Sequence, residues 1–155
     1  MELIKKRGLS DLEMVELLEL WNAEYPKTLA HSSIDSLNDY LTSLAETKHL
    51  LLLDERQKVR GWCFCFNREN QPWFAIIIDS KLKGQGFGTQ LLNALKKEAQ
   101  MLNGWVIDHN TYEKLNLEPY QSPLPFYLKN GFQILSEERL ELEHISAVKI
   151  KWQKT

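Results

Sequence analysis

The sequence predicts an α+β fold built on a mixed sheet with one parallel step. Three apolar or alternating runs separated by short polar turns occupy 49–79, the pattern of an antiparallel meander. Leu91, Leu92, Leu95, Ala99 and Leu102 then recur at helical spacing. A further apolar run at 105–109 completes strand, helix, strand, which implies a right-handed parallel crossover. The chain has 155 residues, 43% hydrophobic and 26% charged, enough for one core and one domain over 1–155.

The elements follow in order. Glu2 to Arg7 reads as a first strand. Ser10 and Glu13 have capping-box spacing, with Leu9 and Met14 at the staple positions around them. Val15, Leu17, Leu18 and Trp21 continue this helix, and Pro26 stops it. Leu37, Tyr40, Leu41 and Leu44 mark one face of a second helix. His49 to Asp54 is a buried strand, and Glu55 to Lys58 a polar turn. Val59 to Asn67 alternates, with Trp62, Phe64 and Phe66 on one face and Cys63 and Cys65 on the other. Trp73 to Asp79 is a third buried strand after the turn at Arg68 to Gln71. The next helix is expected to run through Leu102 and stop at Gly104, with a strand at Trp105 to His109. Ser122 and Pro123 open a short helix through Phe126, Tyr127 and Leu128, ended by Gly131. Phe132 to Ser136, Arg139 to Glu143 and Ala147 to Trp152 read as two or three strand pieces. No repeat, low-complexity tract or linker divides the chain.

Composition excludes several functions. Net charge is −2, without the basic footprint of nucleic-acid binders. Lys149, Lys151 and Lys154 near the end read as the wet face of a strand. No apolar run approaches membrane-helix length, so no membrane partner is expected. Met1 to Arg7 carries charge with no apolar stretch behind it, so no secretory signal is expected and the cytosol is the default location. Cys63 and Cys65 are too close to staple a fold and are expected as buried free thiols. Two thiols and the scattered His31, His49, His109 and His144 give no zinc spacing, so no metal is expected.

The chain has seven glycines, and three fall in Lys83-Gly84-Gln85-Gly86-Phe87-Gly88-Thr89, between a buried strand and an amphipathic helix. Glycines there let the backbone turn tightly and approach a ligand. The first helical amides have no internal partner and, with the helix dipole, attract phosphate. A tight turn without ligand is the plainer reading. The P-loop pattern is absent, and the dinucleotide fingerprint fails at Thr89 or Leu91. Asp108, at the end of the following strand, sits where a ribose-binding acid would. That fold needs several strand–helix–strand units, and this chain offers one.

The segment resembles the acetyl-CoA motif of the GNAT superfamily, [Q/R]-x-x-G-x-[G/A], with Lys83 in place of Gln or Arg. A lysine still meets a pyrophosphate as a point charge. Phe126-Tyr127-Leu128-Lys129-Asn130-Gly131-Phe132 is similar to a second GNAT pattern, (L/F)Y-x-(K/R)-x-G-F. Upstream of that tyrosine the family often has an asparagine; the matching residue here is Tyr120. The element order also resembles the GNAT fold nearly end to end.

The resemblance implies helices on both faces of a mostly antiparallel sheet whose fourth and fifth strands are parallel and splayed. It implies acetyl-CoA as co-substrate, held by Lys83, Gly84, Gln85, Gly86, Phe87, Gly88 and Thr89 and by backbone groups within Ala75 to Ile78, including Ile76, Ile77 and Ile78. The Ile76 amide is the expected oxyanion donor, an effect worth roughly 3–4 kcal/mol in other enzymes. An amine must be neutral to attack the thioester, so a base is useful. Asp79, Asp108 and His109, at the strand ends, are the candidates. Tyr127 is expected to hydrogen-bond the departing thiolate, since full proton transfer from phenol to thiolate is uphill by about 2 kcal/mol. Trp21, Tyr25, His31, Trp62 and Trp73 are candidates for the acceptor cleft. The long link from Asn110 to Gln121, with Tyr112, Glu113, Glu118 and Tyr120, would suit a cationic amine. Two rivals remain: an acyl-CoA-binding sensor of the same fold, and a dinucleotide-binding oxidoreductase fragment. The Ala147 to Trp152 strand is a candidate for pairing across a homodimer.

Overall fold

The computed structural model describes residues 1–155. The elements are β1 Glu2–Lys6, α1 Asp11–Glu24, α2 Ile34–Thr42, β2 Ala45–Leu53, β3 Val59–Arg68, β4 Gln71–Ile78, α3 Phe87–Lys97, β5 Met101–Val106, α4 Leu124–Lys129, β6 Gln133–Leu142 and β7 Ile145–Gln153. Single turns of 3-10 helix occupy Lys27–Leu29 and Ser80–Leu82. One seven-stranded sheet runs β1-β2-β3-β4-β5-β7-β6. Only β4 and β5 are parallel; their other neighbours run antiparallel. This is the expected α+β architecture. No helix is long and apolar enough to cross a membrane.

The pleat of β3 divides the core as its alternation predicts. Trp62, Phe64 and Phe66 face α1 and α2, packing with Met14, Leu17, Trp21, Leu37 and Leu41. Cys63 faces the other way and packs with Leu91, Leu92 and Leu95 of α3 and Tyr127 of α4. Helices therefore cover both faces. The capping box at Ser10 forms: its hydroxyl accepts the Glu13 N–H at 3.1 Å and the Glu13 carboxylate accepts the Ser10 N–H at 2.8 Å. Both cysteines are free, Cys63 buried and Cys65 half-buried.

Two expectations need correction. The third helix stops at Lys97, capped where the Glu98 N–H donates to Leu95 O at 3.1 Å, and Met101 already begins β5. Leu102 continues the helical spacing only because the inner face of α3 and the inward side of β5 enter the same apolar cluster. Gly104 is inside the strand, and a Cβ there would lie 3.1 Å from Phe74 Cε1, so a close approach explains the glycine. The tail strand is not a free edge either. β7 is paired on both sides, with β5 and β6, and the sheet's edges are β1 and β6.

The strands that matter most are β4 and β5. They pair only at Trp73↔Asn103. Asn103 is fully buried, and its Nδ2 donates to Gln71 Oε1 and to Pro72 O, each at 3.1 Å. This clip holds the two strands together at their starts. Beyond it they splay, and the Trp73 and Trp105 rings pack at a tilt, 5.4 Å apart, near the closed end.

Candidate functional site

Pleating decides which backbone groups the splay leaves open. The Asp79 N–H donates to Arg60 O at 2.9 Å, so odd-numbered residues of β4 turn their polar groups to β3. Pro72 O accepts from Asn103, so even-numbered residues face β5. Past the single β4–β5 pair, the N–H groups of Ile76 and Ile78 therefore point into the gap without a strand partner. Ile77 departs from the expectation that all three isoleucines offer backbone to a cofactor. Its polar groups are turned to β3, and its side chain is buried against α1.

The glycine turn stands beside this gap. Gly84 (φ 78°) and Gly86 (φ 85°) occupy the left-handed region, where other residues are strained. No atom lies within 4 Å of a Cβ built at either, so the cradle faces open space. Gly86 caps α3 without any side-chain hydrogen bond, whereas α1 and α2 are capped by Ser10 and Ser33. The first intrahelical bond is Gln90 N–H to Gly86 O, at 3.0 Å. The amides of Phe87, Gly88 and Thr89 are thus left free at the positive end of the helix dipole. Lys83 and Gln85 are exposed at the rim. A Cβ on Gly88 would sit 3.8 Å from Ile78 Cδ1, so the first turn of α3 packs against the Ile78 side chain at the end of β4. An anionic head on a chain with amide groups fits this arrangement.

Tyr127, on α4, is buried and packs edge-on against Phe74, Phe126 and Phe132. Burial pushes its phenol pKa well up, and the nearby Tyr120 phenol and Cys63 thiol push it further. It is therefore a neutral hydrogen-bond donor at any physiological pH.

The three candidate bases fare differently. Asp79 accepts the Lys81 N–H at 2.9 Å and Arg60 Nε at 2.9 Å. Burial works to raise its pKa, but those two partners outweigh it and hold the carboxyl below its ordinary range. Asp108 is bound on both oxygens by Arg139, at 2.8 and 3.1 Å, which lowers its pKa. Both depart from the expectation of a free base, because each carboxylate already has a cation and is poor at taking protons. His109 Nδ1 lies 2.8 Å from Thr111 Oγ1 and accepts the Thr111 N–H at 3.3 Å, which places the neutral ring's proton on Nε2. Its ring packs edge-on against Tyr112 at 4.6 Å.

The expected cleft aromatics separate too. Trp21 and Trp62 are buried in the core between α1, α2 and the sheet; the half-buried His31 packs against Trp21, with its Nδ1 2.8 Å from Ser36 Oγ. Trp73 packs at a tilt against Trp105 at the closed end of the gap. Tyr25 and Tyr120 share an environment with Tyr127: burial raises the Tyr25 phenol most, and those two phenols raise it next. Glu113 pairs with Lys27 at 3.1 Å, and Glu118 is exposed. The sequence offered no signal for Glu24 and Lys114, a buried ion pair joining residues far apart in the chain.

A splayed parallel pair beside an uncapped, glycine-opened helix is the arrangement that the resemblance to the GNAT superfamily implies, and the comparisons with known proteins agree. A family model for the acetyltransferase (GNAT) domain matches residues 46–134, and the chain belongs to this family. Among solved structures it is similar to an aminoglycoside 6'-N-acetyltransferase complexed with coenzyme A (TM-score 0.75, 15% identity, covering 99% of this chain and 97% of that one). The aminoglycoside 6'-N-acetyltransferase from Enterococcus faecium is also similar (TM-score 0.70, 14% identity, 99% and 97% covered). So is a phosphinothricin acetyltransferase from Sinorhizobium meliloti in complex with AcCoA (TM-score 0.68, 13% identity, 99% and 89% covered). At these identities the likeness shows a common fold. No curated protein sequence matches the chain.

Proposed function

We propose that this chain is an acetyl-CoA-dependent N-acetyltransferase that acts on a primary amine by direct attack. The observation that carries this reading is the junction of two sets of free amides, Ile76 and Ile78 on the strand and Phe87 to Thr89 on the helix, across the packed Gly88–Ile78 contact. The helix amides and Lys83 would hold the pyrophosphate, and the strand groups the amides of the pantetheine arm. Acetyl-CoA supplies the thioester: the N–C bond forms as C–S breaks, one amine proton passes to solvent and the sulfur leaves as thiolate.

In this reading the Ile76 N–H donates to the acetyl oxygen, where negative charge develops. Tyr127 donates to the sulfur; its raised pKa makes hydrogen bonding, not proton transfer, its role. Tyr127→Phe is then expected to lower kcat by about 100-fold, on the scale of losing one preorganised donor. Stability should hardly change, because the hydroxyl has no protein partner to abandon and the ring packing stays. Steady-state kinetics beside thermal unfolding checks this. His109 is the remaining candidate for relaying that amine proton to solvent. Asp108 serves to fix Arg139.

Thermal unfolding with acetyl-CoA, with CoA and with a nicotinamide dinucleotide tests the reading. A ligand at 100 times its Kd stabilises by about 2.7 kcal/mol, a shift of several degrees for a domain of this size. Shifts with the two CoA species alone are expected. A shift with the dinucleotide alone would overturn the proposal.

A further inference from the structure

One ion pair spans the open end of the gap. Glu24, in the last turn of α1, accepts the backbone N–H of Ser80 on Oε2 at 2.9 Å, just past the end of β4. Its Oε1 accepts from Lys114 Nζ at 3.2 Å. Lys114 belongs to the long link after β5, which folds back as a small hairpin: its N–H donates to Glu118 O, and Glu113 bridges Pro119. A bridge from Lys114 to Pro26, and the Lys27 N–H donating to Glu113 O at 2.8 Å, dock this hairpin on the chain leaving α1. The two charged side chains are only 10% and 11% exposed.

As a stabilising device this pair is poor. Removing two ions from water costs several kcal/mol each, recovered only if their other hydrogen-bonding positions are filled. Lys114 Nζ has three protons and one protein acceptor. As a seat for an ammonium group the site is well made. The carboxylate is held in place by the Ser80 amide.

We propose that Glu24 seats a second, cationic amino group of the acceptor, and that Lys114 holds this seat until the acceptor arrives. The acceptor class is then an aliphatic diamine or polyamine: one neutral amine attacks while the distal ammonium displaces Lys114 from Glu24. Exchanging one ammonium for another adds little new desolvation cost, since the carboxylate is already out of water. This inference rests on the acetyl-transfer reading.

The test compares diaminohexane with hexylamine at saturating acetyl-CoA in wild type, Glu24→Gln and Lys114→Met. Wild type should prefer the diamine in kcat/KM by about tenfold or more, the scale of a charge-assisted hydrogen bond. Glu24→Gln should erase that preference through KM, and Lys114→Met should lower the diamine KM. Diaminohexane should also raise the Tm of the CoA-loaded wild type and of Lys114→Met, but not of Glu24→Gln. A diamine shift that depends on Glu24 in a protein that turns over no amine would sink the transfer reading and leave the seat standing. An unchanged preference and shift in Glu24→Gln would overturn the seat. If that variant does not fold, a diamine KM that fails to fall in Lys114→Met overturns it instead.

Discussion

Gly88→Val is expected to abolish the thermal stabilisation by acetyl-CoA while the protein stays folded. A Cβ at this position would lie 3.1 Å from Phe126 Cζ and 3.2 Å from its Cε1. The two γ-methyls of valine would add to that overlap. The half-buried Phe126 ring packs edge-on against Tyr127 at 5.1 Å, so it retreats only by pressing on Tyr127 or by swinging outward. The first turn of α3 must move off α4, or Phe126 must be expelled. Either displaces the free amides of Phe87 to Thr89 or shifts Tyr127. Overpacking of this kind costs roughly 1–3 kcal/mol, within the reserve of an ordinary domain. Loss of the cradle should weaken acetyl-CoA binding by about 100-fold, or ~2.7 kcal/mol. Gly8→Val is the matched control, because nothing lies within 4 Å of its Cβ. Calorimetric titration of both variants decides the matter. A valine variant with wild-type affinity would mean that the turn is plain structure.

Much of this molecule is legible in local pattern. Strands β2 to β4, the capping box and the glycine turn each depend on neighbours a few residues away, so spacing is enough to find them. The end of α3 was not legible, because Leu95 and Leu102 enter one core from a helix and from a strand, and period alone cannot tell these apart. The site divides along the same line. Lys83 to Thr89 and Tyr127 sit on short motifs. Which of Ile76, Ile77 and Ile78 offers its amide depends on pairing with β3, so only strand phase decides it. The fate of Asp108 depends on Arg139, which the β6–β7 hairpin brings across from far along the chain. Lys114 reads in sequence as one more polar loop residue; its burial needs Glu24, an α1 residue whose docking the loop's own sequence does not encode.

His49 gives the fold a pH dependence of its own. It is 5% exposed, on the wall of a groove between α1 and α2, and its Nδ1 accepts the Trp62 indole N–H at 3.1 Å. Burial lowers its pKa to about 4, against a smaller upward pull from Glu13. In the unfolded chain the ordinary value is near 6.5. The folded state therefore stays neutral while the unfolded state takes up a proton, so the contribution is complete above pH 6.5 and is lost as pH falls toward 4. The span corresponds to roughly 3 kcal/mol, at about 1.4 kcal/mol per pH unit. Protonating Nδ1 would also set two N–H donors against each other. His49→Gln keeps an acceptor for Trp62 but does not titrate. Urea unfolding of both proteins from pH 7 to pH 4 should show the wild type losing stability more steeply, with the gap opening below pH 6.5. Parallel curves would mean that the folded protein protonates His49 as readily as the unfolded chain, and that burial exerts no pull on this imidazole.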